Sequence, residues 1–159
     1  MTQRTFSRRT VLSVSVGLLG LSALPVIADR LDTRMVVVKD PNCGCCGAWI
    51  EIVQSAGFEV TTEHRAGTAL MRYKIDNGIP EAMASCHTAR IGGYTLEGHV
   101  PVADIRRLLK ERPDAIGLAV PGMPYGSPGM GPEDAREAYD VFLIQKNGNT
   151  SVFTHYDAA

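Results

Sequence analysis

The sequence predicts a single α/β domain, and three features carry that reading. Apolar, β-branched runs of strand length recur along the chain. Between them, apolar residues fall at helical spacing, and Gly, Pro or Asn-Gly signals punctuate the junctions. The 159 residues, 45% hydrophobic and 21% charged, suit one domain with a substantial core and leave little room for two.

In chain order, residues 35–39 form an apolar run that reads as a buried strand, broken by Asp40-Pro41-Asn42. Ala48, Trp49, Ile52, Val53 and Ala56 then recur at helical spacing, and Gly57 terminates that helix. Residues 58–62 are a second strand and 68–75 a short second helix, followed by the turn Asn77-Gly78-Ile79-Pro80. Residues 85–91 and 94–96 pair across Gly92-Gly93. Pro101 opens a helix over 102–110, residues 116–120 are a short apolar run, and the Gly- and Pro-rich stretch 121–132 is a long surface loop. Residues 141–145 and 151–156 close the chain as a hairpin across Asn147-Gly148. The order to residue 110 is β-α-β-α-β-β-α. That is the thioredoxin-like order, with the C-terminal β-hairpin as an addition to the core.

Residues 1–28 stand apart. Arg4, Arg8 and Arg9 precede a mild apolar run ending in Val26-Ile27-Ala28, the pattern of a signal peptide cleaved after Ala28. The run is short, diluted by Ser and Gly and broken at Pro25, which favours cleavage over a retained membrane anchor. Ser7-Arg8-Arg9-Thr10-Val11-Leu12 is twin-arginine-like, with Val11 where the motif usually has Phe, and the general secretory route stays open. Either route leads to the periplasm or beyond, leaving residues 29–159 as the working domain with no stable membrane insertion. The leader holds three of the 16 basic residues and none of the 17 acidic ones, so the remainder is acidic by four charges. No basic stripe offers a footprint for nucleic acid.

All four cysteines lie in that domain. Cys43, Cys45 and Cys46 crowd into one turn between the first strand and first helix, an arrangement ill suited to a stabilising disulfide between distant segments. Two chemistries fit. Cys43 and Cys46 have the spacing of a redox dithiol, and the three sulfurs together form a metal claw. A helix N-terminus favours thiolate, and thiolates are soft ligands for Cu(I), zinc or iron–sulfur clusters. In a thioredoxin-like fold the start of the third strand faces this turn, so Cys86 is a candidate fourth sulfur. His87, its neighbour, would point to the other face if both lay on a strand. His99, in the bend Gly98-His99-Val100-Pro101, is a further candidate. Met123, in a Gly-Met-Pro loop, offers a thioether that suits Cu(I) and not zinc; Met130 is a weaker candidate. Trp49 reads as an anchor of the first helix, and His64 and His155 as surface residues.

Cys43-Gly44-Cys45-Cys46 with Trp49, Ser85-Cys86-His87-Thr88, Glu97-Gly98-His99-Val100-Pro101 and the run from Gly117 to Pro124 with Gly126-Ser127-Pro128-Gly129-Met130 together resemble the CopG-like family of periplasmic copper-resistance proteins, whose Cys-x-Cys-Cys domain was formerly of unknown function. The resemblance implies a thioredoxin-like fold and several Cu(I) ions per chain in a cysteine-bridged cluster. It strengthens Cys86 and His99 as site residues, and it folds the Gly-Met-Pro loop over the site. It further implies a role in copper resistance, with exchange between Cu(I) and Cu(II), and traffic with other periplasmic copper-handling proteins. A thiol–disulfide oxidoreductase using Cys43 and Cys46 is the alternative, and whether the protein is an enzyme stays open.

Overall fold

The computed structural model describes residues 33–159; the expected signal peptide lies outside them. The element order is β1 (Arg34–Lys39), α1 (Gly44–Ser55), β2 (Glu59–His64), α2 (Gly67–Asp76), β3 (His87–Ile91), β4 (Tyr94–Glu97), α3 (Val102–Glu111), β5 (Ala115–Ala119), β6 (Tyr139–Gln145) and β7 (Thr150–Tyr156). Short 3₁₀ turns cover Glu81–Met83 and Glu133–Ala135. The α/β class and the β-α-β-α-β-β-α order to the end of α3 are as predicted.

The strands form one mixed seven-stranded sheet, ordered β2-β1-β3-β4-β5-β6-β7. β1 runs parallel to β2 and antiparallel to β3, and β4 runs antiparallel to β3 and parallel to β5. Residues 116–119 of the predicted apolar run 116–120 belong to β5. This strand couples the final hairpin to the rest of the sheet through antiparallel pairing with β6. Its central glycine explains the fit: a Cβ on Gly117 would overlap the Thr95 carbonyl oxygen of β4.

The main core lies where α1 and α3 cover the sheet. Trp49 and Val53 of α1 and Ile105 and Leu108 of α3 are fully buried against Val37, Ala89, Leu96 and Leu118. Trp49 also donates its indole N–H to the Val100 carbonyl at 2.9 Å, tying α1 to the bend before α3. Side chains alternate across a strand, so Ala119 beside Leu118 faces the other way, into a smaller cluster with Ile79 and Ile144.

One boundary differs in a way that matters. The third strand begins at His87, not at residue 85; Ser85 makes only an isolated bridge to Gly122. Cys86 therefore sits in an irregular segment, where strict strand alternation does not apply.

Candidate metal centre

Cys43 caps the N-terminus of α1, and Cys45 and Cys46 lie in its first turn. The preceding turn is held by Asp40, whose carboxylate accepts the Asn42 N–H at 2.9 Å and whose carbonyl accepts the Cys43 N–H at 3.1 Å. Such Asx geometry is why Asp40-Pro41-Asn42 stops β1 and turns the chain into the helix. Cys43 and Cys46 are joined by a disulfide, with Cα atoms 5.5 Å apart, while Cys45 and Cys86 are free. Cys45 Sγ lies 3.4 Å from Cys43 Sγ, and Cys46 Sγ lies 3.7 Å from the Cys86 carbonyl oxygen. All four sulfurs fall within 4.8 Å of one another.

Cys86 also belongs to a second group. Its Sγ lies 3.0 Å from His99 Nε2 and 3.3 Å from His87 Nδ1, and the three donors again fit within 4.8 Å. His99 Nδ1 is 2.7 Å from the Pro128 carbonyl oxygen. A carbonyl can only accept, so Nδ1 carries the proton and the Nε2 lone pair faces the sulfur. A carbonyl holding the far ring nitrogen is the usual support of a metal-binding histidine. The His87 ring packs on Trp49 with centroids 4.4 Å apart. Its Nε2 is the single buried side-chain nitrogen or oxygen without a hydrogen-bond partner among the described residues.

Burial sets the electrostatics here. It pushes the Cys86 thiol up to about 12, with Cys45 adding to the rise. It pulls the His87 imidazole well below 6.5, helped by His99, Lys74 and Lys39, and it lowers His99 as well. Both imidazoles are thus neutral near pH 7 and offer lone pairs instead of charge. Soft sulfur and neutral imidazole suit a soft metal ion, whose charge would compensate thiolates in this partly buried setting.

A scaffold of hydrogen bonds holds the Ser85–Cys86 segment in place. The fully buried Glu97 carboxylate accepts from the Ser85 N–H at 2.6 Å, from Thr88 Oγ1 at 2.6 Å and from Lys74 Nζ at 2.5 Å. Desolvation raises the Glu97 carboxyl, and its three donors oppose that rise. Ser85 Oγ donates to the Gly122 carbonyl, drawing the Met123 loop to the same place. Gly98 permits this closeness at φ +72°: a Cβ there would lie 2.5 Å from both Ser85 Oγ and the Val120 carbonyl oxygen. At Gly129, φ +85°, a Cβ would stand 2.7 Å from the Trp49 nitrogen and 3.1 Å from the Cys45 carbonyl oxygen. The Gly-rich loop therefore lies directly on the first turns of α1.

Of the residues singled out from sequence, Cys43, Cys45, Cys46 and Cys86 come together, and His99 joins them through Cys86. Met123 is exposed and lines an open cavity with Cys43 and Cys86. His64 and His155 are on the surface, as predicted. Strand alternation would turn His87 away from Cys86, but the irregular backbone at Cys86 places His87 Nδ1 beside the sulfur. The sequence signals of His87 were adjacency to Cys86 and its place in the Ser85-Cys86-His87-Thr88 motif. Glu97 stood in the Glu97-Gly98-His99-Val100-Pro101 motif with no role assigned, and Lys74 gave no signal.

A family model described as a protein of unknown function, DUF411, matches residues 83–130. That stretch contains Cys86, His87, His99 and Met123 and excludes the cysteine turn. Among solved structures, one of copper resistance protein CopG, form 1, is 44% identical, with a TM-score of 0.74 over 80% of this chain and 99% of that one. The chain belongs to the CopG-like family of copper resistance proteins. A second structure, form 2 of copper resistance protein CopG, is 46% identical, with a TM-score of 0.71, over 77% of this chain and 97% of that one. Among curated proteins nothing matches significantly. Both CopG-like structures span more of the chain than the DUF411 stretch does, so membership rests on the domain and not on that segment alone.

Proposed function

We propose that this is a periplasmic copper-binding protein of copper resistance, exported through its leader. In this reading Cys43, Cys45, Cys46 and Cys86 bind Cu(I) as a thiolate-bridged cluster of several ions. His99 and Met123 complete the donor set, and the copper cycles between Cu(I) and Cu(II). The observation that carries it is the convergence of four sulfurs within 4.8 Å, three from one turn and one from 40 residues away. Crowded thiolates repel one another unless cations sit among them, and bridging sulfur suits Cu(I). The order of strands β2-β1-β3-β4, with β1 parallel to β2 and antiparallel to β3, supports reading this core as thioredoxin-like. Other periplasmic copper-handling proteins are the expected donors and acceptors.

A specific observation favours a second reading. Cys43 and Cys46 are disulfide-linked, the oxidised state of the pair that a thiol–disulfide oxidoreductase would use. Cys45→Ser separates the two. Under the copper reading, anaerobic reconstitution of the reduced variant with Cu(I) and elemental analysis will show clear loss of tightly held copper against wild type, while the Cys43–Cys46 disulfide still forms on oxidation. Full copper stoichiometry in the variant would refute the cluster.

A further inference from the structure

An open cavity of about 500 Å³ leads to the sulfurs, and Cys43, Cys86 and Lys74 are among the side chains lining it. One wall is a single face of α2. Gly67, Leu70, Met71 and Lys74 all line the cavity, and their spacing of three, four and seven residues is that of one helical stripe. Within that stripe Leu70 and Lys74 are buried, and Lys74 is spent on Glu97 and Thr88. Met71 is 42% exposed. Packing in the core therefore does not account for it. Met123, 52% exposed, lines the same cavity from the loop after β5. Four sulfur-bearing side chains from four segments thus border one open space.

Resting on the copper reading above, we propose that Met71, with Met123, forms a thioether pair at the cavity mouth that receives Cu(I) and passes it to the free thiol of Cys86. Thioethers are soft, neutral donors that bind Cu(I) and discriminate against zinc. The long, flexible methionine side chain can follow an ion over a short path. The transfer is ligand exchange without electron flow: Cu–thioether bonds break, a Cu–thiolate bond forms, and the Cys86 proton leaves to solvent. Binding strengthens inward, from neutral thioether to anionic thiolate, which gives the transfer its direction.

The test uses the full chain, reduced with a phosphine, freed of it and kept anaerobic, with the copper(I)–bicinchoninate complex as metal source. Leu replaces Met with little change in volume, so Met71→Leu and Met123→Leu should fold normally. The expected result is Cu(I) uptake slowed by about tenfold in the double variant and by less in each single one, with Met71→Leu alone keeping the final copper content of wild type. In wild type labelled with ¹³C at the methionine methyls, the Met71 signal should shift during titration with Ag(I), a silent stand-in for Cu(I). Unchanged uptake by Met71→Leu together with a stationary Met71 methyl would overturn the thioether pair while leaving the cluster intact. A wild type that retains no copper would remove both.

Discussion

Two buried polar groups meet at the Ser85–Cys86 segment, and their hydrogen-bond accounts are opposite. On one side, Glu97 uses both carboxylate oxygens on Lys74, Thr88 and the Ser85 N–H, and Lys74 adds a 3.1 Å bond to Thr88. On the other, Cys86, His87 and His99 face one another, and His87 Nε2 has no partner. Burial costs a polar group free energy unless it is paired, so a saturated network is a scaffold and an unsaturated one is poised to take something else. The first positions the second: Glu97 anchors the residue before Cys86, and His99 follows Glu97 by two residues.

Breaking the scaffold should have the largest effect. Glu97→Ala strands the Lys74 ammonium in a site where it is only 3% exposed, and such uncompensated burial costs about 3–5 kcal/mol. Urea unfolding of the metal-free chain would show it, and a loss below about 1 kcal/mol would mean that the pair is not a structural strut. His99→Ala touches the other group. Its cost to folding should be smaller, while competition with a Cu(I) chelator should show affinity reduced by about tenfold or more. Wild-type affinity in that variant would take His99 out of the donor set.

The smallest effect sharpens the comparison most. His87→Phe replaces an unsatisfied imidazole by an apolar ring, so at neutral pH the stability of the metal-free chain should change by less than about 1 kcal/mol. Its pH dependence should change more visibly. In the wild type the folded His87 titrates well below 6.5, so the unfolded chain takes up the proton first. Stability is therefore full above 6.5 and falls as the pH drops below it toward the folded value, and His99 acts in the same direction. Phenylalanine removes the His87 part, and acid unfolding should become less steep. An identical acid profile in wild type and variant would show that His87 is not a buried neutral group.

The cysteine turn and most element boundaries were legible because their signals are local. Cys43, Cys45 and Cys46 share one helical turn, Asp40 ends β1 within a few residues of them, and Trp49 follows at helical spacing. Cys86 was legible one step further away, from the expected placement of the third strand's start against that turn, and His99 from its bend between Gly98 and Pro101. The sequence by itself determined the α/β class, the three-thiol turn and the residue types that select a soft metal. Only the tertiary structure decided that His87 stands beside Cys86, that Glu97 and Lys74 pair across 23 residues to hold Ser85, and that one stripe of α2 brings Met71 to the cavity. The physical reason is range. Helical period, turn chemistry and adjacent thiols act over a few residues, whereas the partner that makes burial of a charge or an imidazole tolerable can come from anywhere the fold brings close.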